Sequence, residues 1–164
     1  MKRKNNKKHL SLLVFCMILV SNAPIKAQLK FHTFETLEQL VSIDPKPMVI
    51  FIHTDWCKYC HKMEQFTFKN EEVLKLLNNN FYFVSLDAES KNPIRFRNHT
   101  FTYIPNGNRS GVHQLALELG KIKGQISYPT LTVLNEKYEI IFQHNSYLPP
   151  KKIIKTLHLL TNQN

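Results

Sequence analysis

Apolar positions along the chain change period several times, and each change marks an element. FETLEQLVS, Phe34 to Ser42, is apolar at 34, 37, 40 and 41, the spacing of one helix face. Thr33 can cap its start, and Pro45 and Pro47 close it off. PMVIFIH, Pro47 to His53, is a continuous apolar run with β-branched residues, which suits a central strand buried on both faces. Thr54, Asp55 and Trp56 follow, and from Cys57 the spacing turns helical again at Tyr59, Met63 and Phe66. Asn70 stands at the cap of EEVLKLLNN, with Val73, Leu74, Leu76 and Leu77 on its apolar side. FYFVSLD, Phe81 to Asp87, reads as a second strand, so the chain between 47 and 87 has the order of a β-α-β unit.

The segment from about 88 to 126 is less regular. IRFRNHTFTYI alternates apolar residues at 94, 96, 101 and 103 around Asn98 and His99, which predicts a hairpin. Its aromatic positions could form a substrate platform or pack within the insertion itself. PNGNRSG is a turn-rich loop, and VHQLALELG, Val112 to Gly120, predicts a helix ended by a C′ glycine. SYPTLTVLN then places Pro129 just before a strand, Thr130 to Leu134. NEK turns it into an antiparallel partner, YEIIFQH, and Pro149-Pro150 opens a last helix with Ile153, Ile154, Leu157 and Leu160 on one face.

The amino terminus follows a different logic. MKRKNNKKH is basic with no acid, LSLLVFCMILV is almost wholly apolar, and SNAPIKAQ ends the segment in small and neutral residues. That is the pattern of a secretory signal, with cleavage expected after Ala27. The apolar run is short for a bilayer span, which needs about 20 residues, although an uncleaved anchor has the same general form. Of the 164 residues, 28–164 are then left as one domain. Six of the 22 Lys and Arg fall within 1–27, so the remainder carries 16 basic against 12 acidic residues, a net +4 rather than +10. No basic stripe with interleaved aromatics points to nucleic acid.

Of three cysteines, Cys16 lies in the apolar run, after Phe15 and not after a small residue, so a lipid-modified terminus is not expected. Cys57 and Cys60 remain. A pair three residues apart closes too short a loop to stabilise a fold much; chemistry is the better reason for it. WCKYCH contains two signatures, C-x-x-C-H for covalent haem and W-C-x-x-C for thiol–disulfide exchange. Strands of strong β composition flank the motif, and His99, His113, His144 and His158 offer no singled-out distal ligand, which weighs against haem.

For the thiol reading, Cys57 falls where a buried strand becomes a helix. Unpaired N–H groups and the positive end of the dipole favour thiolate there, and Lys58 adds charge. Cys60, one turn later, can resolve the mixed disulfide. Trp56 and Tyr59 are placed to flank the site. Tyr128 and Pro129 could hold an extended substrate chain beside the sulfurs if their peptide were cis. Glu64 and Asp55 could handle protons near Cys60. His61, next to Cys60, could tune the thiol or bind metal with both cysteines; its default placement is the solvated helix face.

At these residues the sequence resembles the thioredoxin superfamily. KPMVIFIHTDWCKYCHKMEQFTFKNEEVLKLL, with D-W-C-x-x-C, Glu64, Thr67-Phe68 and the later Y-P-T, is most similar to the periplasmic C-terminal domain of disulfide-interchange reductases and to small secreted relatives. The resemblance covers about 45–90 and 126–160; the insertion at 88–126 does not match. It implies an α/β thioredoxin fold, a mixed central sheet flanked by helices with an insertion before the cis-proline strand. It implies a redox-active Cys57–Cys60 pair with no other cofactor and no metal. Cys57 would be nucleophile, Cys60 resolving thiol and Pro129 the cis-proline. The expected partners are protein thiols and disulfides and a separate membrane or periplasmic electron donor, in the periplasm or cell envelope. One departure stands out: the strand position six before the first cysteine, an acid in many thioredoxins, is Phe51. Two other readings stay open, a redox-inactive binding module of the same fold, and haem or metal attachment through Cys57, Cys60 and His61.

Overall fold

The computed structural model describes residues 27–108 and 110–161. The expected signal segment, Cys16 included, therefore lies outside the described residues apart from Ala27, as does Arg109 of the PNGNRSG loop.

Strand β1 (Met48–His53) is the structural axis. Its first five residues are buried, as a run with no polar face requires. It pairs in parallel with β2 (Tyr82–Asp87), matching Met48 to Tyr82 and His53 to Asp87. On its other side it pairs antiparallel with β7 (Thr130–Leu134), which pairs in turn with β8 (Ile140–His144). The sheet order is β2-β1-β7-β8. Phe31, which lies outside the strands, adds a single parallel bridge to Phe83 of β2.

The two faces of β1 serve two cores. Val49 and Phe51 point into one, with Phe83, Leu131 and Val133 of the neighbouring strands. There they meet α2 (Lys58–Lys62), α3 (Glu71–Asn80) and α5 (Pro150–Thr161) through Cys60, Leu77, Ile153 and Leu157. Met48, Ile50 and Ile52 point the other way, against Phe34, Leu37 and Val41 of α1 (Phe34–Ile43) and Leu115 and Leu119 of α4 (Gln114–Gly120). Burying a Leu, Ile or Phe side chain stabilises by roughly 1.5–3 kcal/mol, so each face is a substantial part of the fold.

Helix α3 starts as its sequence suggested: Asn70 Oδ1 accepts from the Glu72 and Val73 N–H groups at 3.1 and 3.2 Å. Helix α2 departs from expectation. It runs into a π-helical turn, Met63–Thr67, closed by Phe68 N–H donating to the Met63 carbonyl at 2.9 Å. The widened turn shifts the phase. Met63, Thr67 and Phe68 face the core, whereas Tyr59 and Phe66, spaced for a buried stripe, are 62% and 60% exposed.

The segment between β2 and β7 also departs. The expected hairpin is confined to β3 (Ile94–Phe96) and β4 (His99–Phe101), with Arg97 and Asn98 at positive φ in the turn. Tyr103 belongs to a second ladder, β5 (Tyr103–Pro105) against β6 (Gly111–His113), so Val112 is in a strand and not in the helix. Gly120 is not a left-handed cap, since α4 ends with Lys121 at φ −70°. It is instead a close approach, where a Cβ would lie 3.0 Å from Ile52 Cδ1.

His113 provides the cap of α4. It is fully buried, its Nδ1 accepts from Leu115 N–H at 3.2 Å, and its Nε2 lies 3.2 Å from the Asn92 carbonyl. That pattern needs the neutral ring, and burial pushes the His113 pKa below its ordinary 6.5. The unfolded chain then takes up this proton more readily than the folded one. The contribution is complete above pH 6.5 and is lost as pH falls towards the folded value. Denaturant midpoints should therefore decline as pH is lowered from about 7 to 5, with a shallower slope in His113→Asn. His113→Ala should lose about 1–3 kcal/mol.

Candidate active site

Everything chemically notable in the motif gathers at the carboxyl end of β1. Thr54, just after the strand, is fully buried, and its carbonyl accepts from Cys57 N–H at 3.2 Å. That tight turn delivers Cys57 to the first position before α2. There its carbonyl accepts from Cys60 and His61 N–H at 3.0 and 3.1 Å, and its Sγ accepts from Cys60 N–H at 3.1 Å. The sulfur is thus the helix cap. A thiolate at this atom would take the hydrogen bond more strongly than a thiol, which favours ionisation.

Cys57 and Cys60 are joined in a disulfide, with Cα atoms 5.2 Å apart. Cys57 is 4% exposed and Cys60 fully buried, both packed in the core that contains Phe51, Met63 and Phe68. Phe51 itself is 1% exposed. It stacks on His53 at 5.3 Å and meets Phe68 edge-on at 4.9 Å, so the strand offers the cysteines an apolar wall in place of an acid.

The second segment of the site is Tyr128–Pro129, whose peptide is cis. Pro129 is buried at the entry to β7, the strand paired with β1. The Trp56 and Tyr128 rings meet edge-on at 5.9 Å, which ties this loop to the cysteine turn. The Tyr128 hydroxyl is buried, with no hydrogen-bond partner among the described residues. Burial, reinforced by the nearby Glu89 and Asp87 carboxylates, pushes it up to about 12.

Around the disulfide the surface is aromatic. Trp56 is 65% exposed and donates from Nε1 to Glu89 Oε1 at 3.1 Å. Tyr59 leans on Tyr147, ring centroids 6.3 Å apart, and Lys62 Nζ sits 4.7 Å above the Tyr147 ring. Lys58 is exposed at the first turn. Glu64 does not stand alone near Cys60; its Oε2 is 3.2 Å from His61 Nδ1. His61, expected by default on the solvated helix face, is exposed but held: its Nε2 lies 2.7 Å from the Asp55 carbonyl. The hydrogen bond to that carbonyl, then the one to Glu64, raises the His61 pKa above the usual histidine value. Glu89 and Tyr147 carry no signal in the sequence, because both reach the site through tertiary packing alone.

A four-stranded mixed sheet with helices on both faces, a disulfide capping the helix after the central strand and a cis-proline loop beside it define the thioredoxin class of folds. A family model described as a thioredoxin-like domain matches residues 34–161, and the chain belongs to that family. Among solved structures, the chain is similar to a DsbH oxidoreductase, with a TM-score of 0.60 and 18% identity over 89% of this chain and 94% of that one. A thioredoxin from Thermus thermophilus is similar with a TM-score of 0.59 and 18% identity, over 81% of this chain and 87% of the other. The oxidised DsbD C-terminal domain of Neisseria meningitidis reaches 0.52 at 17% identity, over 76% and 90%. Identities this low speak to the fold. Spermatogenesis-associated protein 20 of Mus musculus is 41% identical over 46 residues, 28% of this chain. The chain spans only 6% of the length of that curated relative.

The phenol offers a direct check on the packing of the site. In a phenolate absorbance titration of the folded protein, Tyr128 should give a late step near 12, and Tyr128→Phe should remove that step.

Proposed function

We propose that the protein is an exported thiol–disulfide oxidoreductase that acts on protein substrates from the periplasm or cell envelope, as reductase or isomerase. The observation that carries the reading is the Cys57–Cys60 disulfide at the start of α2, with Cys57 Sγ accepting the Cys60 N–H at 3.1 Å. The signal-like terminus supports export. Among the described residues no helix is long and apolar enough to cross a membrane.

In the reduced protein, the Cys57 thiolate attacks one sulfur of a substrate disulfide. A Cys57–substrate bond forms, the substrate S–S bond breaks, and the departing sulfur takes a proton. Cys60, having passed its proton to water or Glu64, then attacks Cys57 Sγ and releases the second substrate sulfur as a thiol. Two electrons and two protons pass to the substrate, and the Cys57–Cys60 disulfide remains. A separate membrane or periplasmic dithiol protein must reduce it again. Tyr128 and Pro129 present backbone to an extended substrate chain, and the Trp56 and Tyr59 rings give it an apolar bed. The redox-inactive module is less well supported, because both sulfurs are present and bonded, with Cys57 at the helix cap.

The mature protein should reduce insulin in the presence of a dithiol donor, read as turbidity. Cys57→Ser should abolish the reaction, and Cys60→Ser should trap a mixed disulfide through Cys57 visible by mass spectrometry. Equal turnover by wild type and Cys57→Ser would end this reading.

A further inference from the structure

His61 is held between two oxygen atoms. Its Nε2 lies 2.7 Å from the carbonyl of Asp55, and its Nδ1 lies 3.2 Å from Glu64 Oε2. A carbonyl can only accept, and so can an ionised carboxylate. A neutral imidazole has one N–H and could satisfy one of them while presenting a lone pair to the other. Only the imidazolium donates to both. The ring also reaches backwards: it belongs to the turn after Cys57, whose carbonyl accepts the His61 N–H, yet its tip touches the residue two before Cys57. Charge and clamp therefore sit alongside the turn that presents the nucleophilic sulfur.

The geometry points to His61 as a positioning residue for the proposed thiol–disulfide exchange: as the imidazolium it ties the Asp55–Trp56 turn to α2 through Asp55 and Glu64, and places a positive charge beside Cys57 that favours its thiolate. The proposal rests on the oxidoreductase reading and names what tunes it. The acidic groups acting on the ring are Asp55 and Glu64. The other cations on α2 are Lys58, which is exposed, and Lys62, which is turned over Tyr147. The raised His61 pKa agrees in direction with the imidazolium. Phe51, buried in the strand beneath, supplies no charge from that position.

The test separates charge from shape in the full protein. The pH dependence of iodoacetamide alkylation at Cys57, resolved by mass spectrometry, gives the midpoint of thiolate formation in wild type, His61→Gln and His61→Lys. His61→Gln keeps a donor for the Asp55 carbonyl and loses the charge. Its thiolate population near neutral pH should fall about three- to tenfold, which is up to one unit in midpoint. His61→Lys should restore most of it, and added salt should shrink the difference. A ring titration of His61 by NMR should move to lower pH in Glu64→Gln. The inference is overturned if His61→Gln leaves the midpoint unchanged, or if His61→Gln and His61→Lys displace it equally, since shape alone would then explain both. Insulin reduction by wild type is read in parallel: if it persists while the midpoint ignores His61, the oxidoreductase reading stands and only the role of His61 falls.

Discussion

The pairing of β1 between β2 and β7 is the constraint on which the site depends. A strand with no polar face must be covered on both sides and flanked on both edges. Here that requirement brings α2, α3 and α5 to one face and α1 and α4 to the other. It also sets the end of β1 beside the start of β7, so the cysteine turn and the Tyr128–Pro129 loop arrive together. The proposed exchange uses those two segments together, and the sheet register sets them side by side.

Beside the cysteines the sheet presents the apolar Phe51. Cys60 is enclosed by core side chains, with Phe51 in the strand below it. Burial in apolar surroundings raises a thiol pKa, whereas a capping N–H lowers it. Both cysteines are buried in the same core, but only Cys57 Sγ accepts a capping N–H, from Cys60.

Much of this was legible in the sequence, and the legible parts are the local ones. The apolar run 47–53, the Asn70 cap, the Y-P-T entry to β7 and the spacing of Cys57 and Cys60 depend on neighbours in the chain, and each sits as its pattern implied. The misreadings came where tertiary contact overrides local period. Phe66 fits a helical stripe, but the π turn at 63–67 rotates it into solvent. Val112 fits the α4 pattern, yet it pairs with Ile104 because His113, and not a serine or aspartate, caps the helix. Gly120 looks like a stop signal and is a packing device. Glu89 and Tyr147 were invisible for the same reason.

Family membership establishes the fold, and the site narrows its chemistry to a dithiol pair. Whether that pair is a working couple or a covalent staple is the question under all the rest, and its reduction potential decides it. Equilibration of the protein with glutathione buffers, quenched and read by mass, should show one two-electron transition between about −180 and −270 mV, the range of isomerases and thioredoxin. A pair that stays oxidised below about −300 mV, as structural disulfides do, would contradict the account.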